Sequence, residues 1–180
     1  MKQKIKLLIP FLLLFGLVVF LYQQIVSHNP RELPSQLIGQ KIPKFSLPDL
    51  LAPDQTLTEN DFKNRVTLFN VWASWCYACA LEHDQLLKIA NDYHIPIYSL
   101  NYKDDPKKAT MLLHQQGNPY LKTGVDAKGQ VAIELGVYAT PETFVIDQTG
   151  TIQYRHVGVI DAETWQKTLL PIIKQIENNA

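Results

Sequence analysis

The sequence predicts an α/β domain, a central mixed β-sheet flanked by helices, preceded by one N-terminal transmembrane helix. Three observations carry this expectation. The chain begins with a long apolar run, strand-like and helix-like segments alternate through the rest, and the only two cysteines stand two residues apart where one such strand gives way to a helix.

Lys2, Lys4 and Lys6 precede an unbroken apolar stretch from Leu7 to Tyr22, extended by Ile25 and Val26 past two glutamines. About 20 such residues cross a bilayer. No A-x-A-like site follows in Tyr22-Gln23-Gln24-Ile25-Val26-Ser27, which favours a retained anchor over the alternative, a cleaved signal peptide. Lysines on the N-terminal flank stay cytoplasmic, so everything after residue 26 is expected on the far side of the membrane. The predicted organisation is therefore a flank and anchor over 1–26, a linker over 27–38 with Pro30 and Pro34, and one domain over 39–180. Seventeen basic residues balance seventeen acidic ones, which leaves no electrostatic footprint for nucleic acid.

Within the domain, Val66–Trp72 reads as a buried strand and Cys76–Tyr93 as a helix. Ile95–Leu100 is the next strand, and Asp104-Asp105-Pro106 supplies a cap and first-turn proline for a helix to about Gln116. Beyond a loop around Gly117-Asn118-Pro119, the segments Thr143–Asp147 and Thr151–Val157 flank Gln148-Thr149-Gly150 as a hairpin. Asp161 caps a last helix over Ala162–Ile176, with a kink expected at Pro171.

A disulfide between Cys76 and Cys79 would close too short a loop to stabilise the fold much. Redox chemistry is the better reason for the pair, because a sulfur at a helix N-terminus meets unpaired N–H groups and the positive end of the helix dipole, which favour a thiolate. Cys76, at the helix end, is the expected nucleophile, and Cys79, one turn in, the resolving thiol. A metal site would need further ligands, and the chain has no second cysteine pair. Glu82 shares a helix face with Cys79, Leu86, Ala90 and Tyr93. A carboxyl there would be desolvated, with a raised pKa, and able to exchange a proton with Cys79; an exposed helix-favouring glutamate is the alternative.

Several ordered segments resemble one family. The chain shows Trp72-Ala73-Ser74-Trp75-Cys76-Tyr77-Ala78-Cys79 between strand and helix, Cys79-Ala80-Leu81-Glu82-His83, Asn101-Tyr102-Lys103-Asp104-Asp105, Gly117-Asn118-Pro119-Tyr120, Leu135 to Phe144 with Thr140-Pro141-Glu142, and Tyr154 to Gly158. From about residue 39 to 177 it resembles the thioredoxin-like DsbE/CcmG family, membrane-anchored thiol–disulfide reductases of bacterial cytochrome c maturation. The resemblance implies a catalytic domain in the periplasm, held at the inner membrane by its N-terminal helix, that keeps apocytochrome c or haem-ligation components reduced. It also implies recharging by a membrane electron donor of the DsbD/CcdA type, and no cofactor beyond the redox-active Cys76–Cys79 pair. Tyr77-Ala78 departs from the family, in which proline often holds the first intervening position.

By the same resemblance the Thr140–Pro141 bond is cis and faces the cysteines, leaving the Thr140 backbone to pair with an extended substrate. Trp75 is expected at the rim of the site, Trp72 in the core, and Glu142 beside the site, biasing substrate choice or solvated at a strand end. His83 and Asp104-Asp105 are read as solvated surface and capping groups. Other readings are a general periplasmic disulfide reductase, a peroxide-reducing protein of this fold, and a copper metallochaperone using His156. The last is disfavoured because such proteins carry C-x3-C.

Overall fold

The computed structural model describes residues 2–27 and 37–178. It divides into two compact units, Met1–Pro34 and Ser35–Ala180. The first holds helix α1, Lys2–Ser27, whose large apolar side chains, from Phe11 to Tyr22, are exposed along its described length. Side chains of α1 are described only for residues 10–23, and among the described residues no helix is long and apolar enough to cross a membrane. The anchor expected over 1–26 therefore lies partly outside the described residues, as does most of the linker over 27–38.

The second unit is built on a five-stranded sheet. A short hairpin, β1 (Ser46–Pro48) and β2 (Thr56–Thr58), leads through a 3-10 turn to β3 (Thr67–Trp72), α2 (Tyr77–Asp92), β4 (Ile97–Tyr102), α3 (Pro106–Gln116) and β5 (Thr123–Asp126). Then follow α4 (Gln130–Glu134), β6 (Glu142–Ile146), β7 (Ile152–Val157) and a C-terminal helix in three parts, α5 (Ala162–Thr164), a π-turn (Trp165–Leu169) and α6 (Leu170–Asn178). The strand order is β5-β4-β3-β6-β7, with β3, β4 and β5 parallel and β6 and β7 antiparallel to their neighbours. The expected mixed sheet with helices on its faces is what forms.

Strand β3 lies at the centre with all six residues buried, four of them large and apolar and Asn70 held by hydrogen bonds through its amide. Alternation along it separates two cores. Leu68 and Trp72 face a cluster shared with Leu86 and Ile89 of α2, Ala109 and Leu113 of α3, and Trp165, Leu169 and Ile173 of the C-terminal helix. Phe69 and Val71 face the other side, where Phe45, Phe62, Phe69 and Tyr98 pack ring on ring and α4 contributes Val131, Ala132 and Leu135.

The boundaries differ from expectation where backbone chemistry intervenes. β4 starts at Ile97 rather than Ile95 because Pro96 has no N–H for the ladder; it contributes only its carbonyl, to Leu68 N at 3.0 Å. The irregularity expected at Pro171 takes the form of the π-turn just before it, where Leu170 N–H reaches back to the Trp165 carbonyl. The β1–β2 hairpin, strand β5 and helix α4 are additions to the expected elements. Gly124 of β5 lies under the β1–β2 hairpin, where a Cβ would come within 3.1 Å of Leu47 Cβ.

Candidate active site

The end of β3 delivers the chain to the cysteines. After Trp72, residues Ala73 to Trp75 turn, and Cys76 occupies the N-cap of α2 in extended conformation, φ −86° and ψ 105°. Cap positions usually go to small oxygen-bearing side chains that satisfy the first free N–H groups. Here sulfur does so: Cys76 Sγ accepts from Cys79 N at 3.1 Å. The same N–H is placed to hold a thiolate when the pair is reduced. In the structure the two cysteines are joined as a disulfide, with their Cα atoms 5.3 Å apart.

Both cysteines are 8% exposed, so accessibility does not separate them; position in the helix does. Their flanks are open, with Trp75 at 58% and Tyr77 at 79%. The turn itself is fastened from below by Asp104, whose carboxylate accepts from Ser74 N and Ser74 Oγ and from Asn101 Nδ2 at 2.9 Å. Asp104 is thus half-buried in a bonding network, not a solvated capping group; Asp105 alone caps α3, accepting from Lys107 N at 2.9 Å. His83 also departs from expectation. It is buried, with Nε2 3.0 Å from the Gly117 carbonyl.

One turn below Cys79 on α2, Glu82 is fully buried. Its Oε1 accepts from Asn70 Nδ2 at 2.9 Å and its Oε2 from Ile160 N at 2.9 Å. Asn70 also donates to Thr143 Oγ1 at 3.0 Å and accepts from the Tyr120 hydroxyl at 3.0 Å. Burial raises the Glu82 pKa to about 7, against the lowering pull of the Ile160 N–H and the Asn70 amide. Burial likewise pushes the Tyr120 phenol well above its usual range, with the Glu82 charge adding to the effect. Tyr120 stacks on Trp72, centroids 5.6 Å apart, and both line a small hollow with Cys76, Cys79 and His83. The desolvated carboxyl expected beneath the cysteines is present. Tyr120, Asn70 and Thr143 were not foreseen; a lone polar residue on the inward side of a buried strand, as Asn70 is, was the available signal.

The Thr140–Pro141 bond is cis. Thr140 lines a cleft of about 130 Å³ together with Trp75, Tyr102, Val137, Tyr138 and Ala139, so the rim tryptophan and the loop before the proline share one surface. Glu142 is neither solvated nor offered to a partner. It is fully buried beneath that loop, accepting from Tyr138 N at 3.0 Å and Ala139 N at 2.9 Å, and is ion-paired with Arg155, whose Nε donates at 2.8 Å. Arg155 also donates to the Gly136 carbonyl at 2.8 Å and lies over the Tyr138 ring. A planar guanidinium with five fixed donors suits this brace between strand and loop.

A dithiol–disulfide pair at a helix N-terminus, over a carboxyl that titrates near neutrality and beside a cleft, is equipped for thiol–disulfide exchange. The comparisons agree. The Redoxin family model matches residues 37–169. The chain is 42% identical over 176 residues to the thiol:disulfide interchange protein DsbE of Pseudomonas aeruginosa, covering 98% of this chain and 96% of that one. It is 36% identical to DsbE of Escherichia coli over 185 residues, covering 100% and 99%. Among solved structures, a putative DsbE from Chlorobium tepidum superposes with a TM-score of 0.66 at 25% identity, covering 76% of this chain and 97% of that one. A putative thioredoxin from Neisseria meningitidis does so at 0.66 and 27%, covering 77% and 91%. The chain is a thiol:disulfide oxidoreductase of thioredoxin-like fold, and belongs to the redoxin family and, within it, to the DsbE thiol:disulfide interchange proteins.

Proposed function

We propose that this protein is a membrane-tethered periplasmic reductase that reduces disulfides of apocytochrome c, or of its haem-ligation partners, during cytochrome c biogenesis. The observation that carries the redox role is the Cys76–Cys79 pair at the head of α2 with Glu82 buried one turn below. The reducing direction and the cytochrome substrate rest on the family resemblance in the sequence. The tether is supported by α1, whose apolar side chains from Phe11 to Tyr22 are exposed and suit lipid.

In the reduced protein, the Cys76 thiolate attacks one sulfur of the substrate disulfide. That S–S bond breaks, a mixed disulfide forms, and the departing substrate sulfur takes a proton from solvent. Cys79 then gives its proton to the Glu82 carboxylate and attacks Cys76 Sγ. The mixed disulfide breaks, the substrate's second sulfur leaves and is protonated, and the Cys76–Cys79 disulfide closes with two electrons passed to the substrate. A membrane donor of the DsbD/CcdA type resets the pair. Trp75 and the Thr140 backbone, which line one cleft, hold the substrate segment beside Pro141. Glu142 acts at a distance, by fixing the loop that carries Thr140.

The test is a full-length Cys79→Ser protein expressed in the native host, which cannot resolve the mixed disulfide. Apocytochrome c or a haem-ligation component attached to Cys76 supports the reading. A broad mixture of secreted proteins replaces it with general disulfide reduction.

A further inference from the structure

The Asn70 carboxamide touches three groups in a fully buried site. Oδ1 accepts from the Tyr120 hydroxyl at 3.0 Å, and Nδ2 donates to Glu82 Oε1 at 2.9 Å and to Thr143 Oγ1 at 3.0 Å. Two of these partners are hydroxyls, which either donate or accept. The third is a carboxyl group, which only accepts when ionised but carries a donor when protonated. The other Glu82 oxygen faces the Ile160 N–H, a donor in every state.

As it stands, Asn70 presents N–H to Glu82, which suits the carboxylate. A protonated Glu82 with its O–H toward Asn70 would set donor against donor, and a buried donor left unpaired is disfavoured. A half-turn of the carboxamide about its terminal bond turns that donor–donor clash into a hydrogen bond, and leaves the second Nδ2 hydrogen and the Tyr120 O–H without an acceptor among these three partners. Oδ1 then accepts from the Glu82 O–H and from the Thr143 hydroxyl, while Nδ2 donates to the Tyr120 oxygen. Each of the three contacts survives with donor and acceptor exchanged.

We propose that Asn70 is the positioning residue for both protonation states of Glu82, its carboxamide turning over when the carboxylate takes the Cys79 proton and turning back when that proton leaves. The hydroxyls of Tyr120 and Thr143 reverse their roles with it. The inference rests on the reading of Glu82 as proton partner of Cys79. On this side the titratable groups are Cys79 and buried His83 of the same helix, Tyr120 opposite, and His156, which stands beside Thr143 in the β6–β7 register; β6 presents Thr143, and the segment before the C-terminal helix presents the Ile160 N–H. The Glu142–Arg155 pair lies on the other face of the sheet, since Thr143, not Glu142, stands opposite Asn70 in the β3–β6 register.

The test uses the full-length oxidised protein in detergent micelles, labelled with carbon-13 and nitrogen-15, and follows the Glu82 carboxyl carbon and the Asn70 side-chain amide by NMR as pH is varied. The expected result is that the Asn70 amide proton facing Glu82 is downfield at alkaline pH and moves upfield with the same midpoint as the Glu82 carbon. A Glu82 carbon that titrates near neutrality while the Asn70 amide stays still overturns the turnover and leaves the role of Glu82 standing. A Glu82 carbon that does not titrate there removes the reading beneath it, and the proposal with it. Tyr120→Phe gives a second readout. Without the hydroxyl, the turned amide has no acceptor for Nδ2, so the Glu82 midpoint falls; an unchanged or raised midpoint means a fixed amide.

Discussion

Glu82 and Glu142 are both fully buried, on opposite faces of the same sheet, and their surroundings compensate them differently. Glu142 has a cation: Arg155 pairs with it, and the Tyr138 and Ala139 N–H groups complete its shell. Among the described residues Glu82 has neutral donors alone, the Asn70 amide and the Ile160 N–H. A buried charge with a guanidinium on it is a fixed structural element, whereas one held by neutral dipoles gains or loses a proton easily near neutral pH. One carboxylate therefore fixes the loop at Tyr138 and Ala139, and the other can change its protonation state, as the proposed proton exchange with Cys79 requires.

The sharpest way to break this contrast is Arg155→Met, which strands the Glu142 charge. Removing one partner of a buried pair costs about 3–5 kcal/mol, and urea unfolding reads it directly. Adding Glu142→Leu removes the stranded charge and should recover much of the loss. No recovery would mean that Arg155 matters for its contacts with Gly136 and Tyr138 and not for the charge.

Glu82→Gln tests the other half. The carboxyl has a folded pKa of about 7 against an ordinary 4.5, so its protonated form is favoured in the folded state. Its contribution is fully present below pH 4.5 and is lost as pH rises through about 7, a difference of roughly 3 kcal/mol at the alkaline end. The stability of Glu82→Gln relative to the native protein should therefore climb across that window and level off above it. Its reduction rate should lose the inflection near pH 7. A stability difference that stays flat with pH would show that Glu82 does not carry the shift.

Much of this contrast was legible in the residues. The helix face shared by Cys79 and Glu82 follows from spacing alone, and the depth of that face then raises the pKa. The strands β3, β6 and β7 and the cap of α3 were equally readable, because each rests on local periodicity or capping chemistry. Glu142 was not legible as a buried residue. Its partner Arg155 lies thirteen positions away across the β6–β7 register, and a glutamate after proline at a strand start gives no local sign of it. Asp104 and His83 misled for the same reason: Asp104 bonds Ser74, thirty residues back, and His83 meets the Gly117 carbonyl, thirty-four ahead. Short β5 and α4 carry too little periodicity to stand out.

Asp104 provides an intermediate case, a half-buried carboxylate with no cation paired to it among the described residues, held by Ser74 and Asn101. Asp104→Ala should cost about 1–3 kcal/mol, since the donors it satisfied are only partly opened to water. The same change should slow reduction of a protein disulfide, because the Ser74 anchor sets the approach of the chain to Cys76. Unaltered kinetics with the expected stability loss would confine Asp104 to folding.

The smallest effect belongs to Glu163, which pairs with Lys167 at 2.8 Å across one turn of the C-terminal helix, with both side chains more than two-thirds exposed. Water already solvates both charges, and holding two long side chains together costs entropy, so an exposed pair of this spacing contributes about 0.3–0.5 kcal/mol. Glu163→Ala should therefore shift the urea midpoint slightly, and less in high salt, which screens exposed charges but leaves the Glu142–Arg155 pair almost untouched. If Glu163→Ala cost as much as Asp104→Ala, exposure would not be what ranks these carboxylates, and the assignment of separate roles to Glu82 and Glu142 from their surroundings would lose its basis.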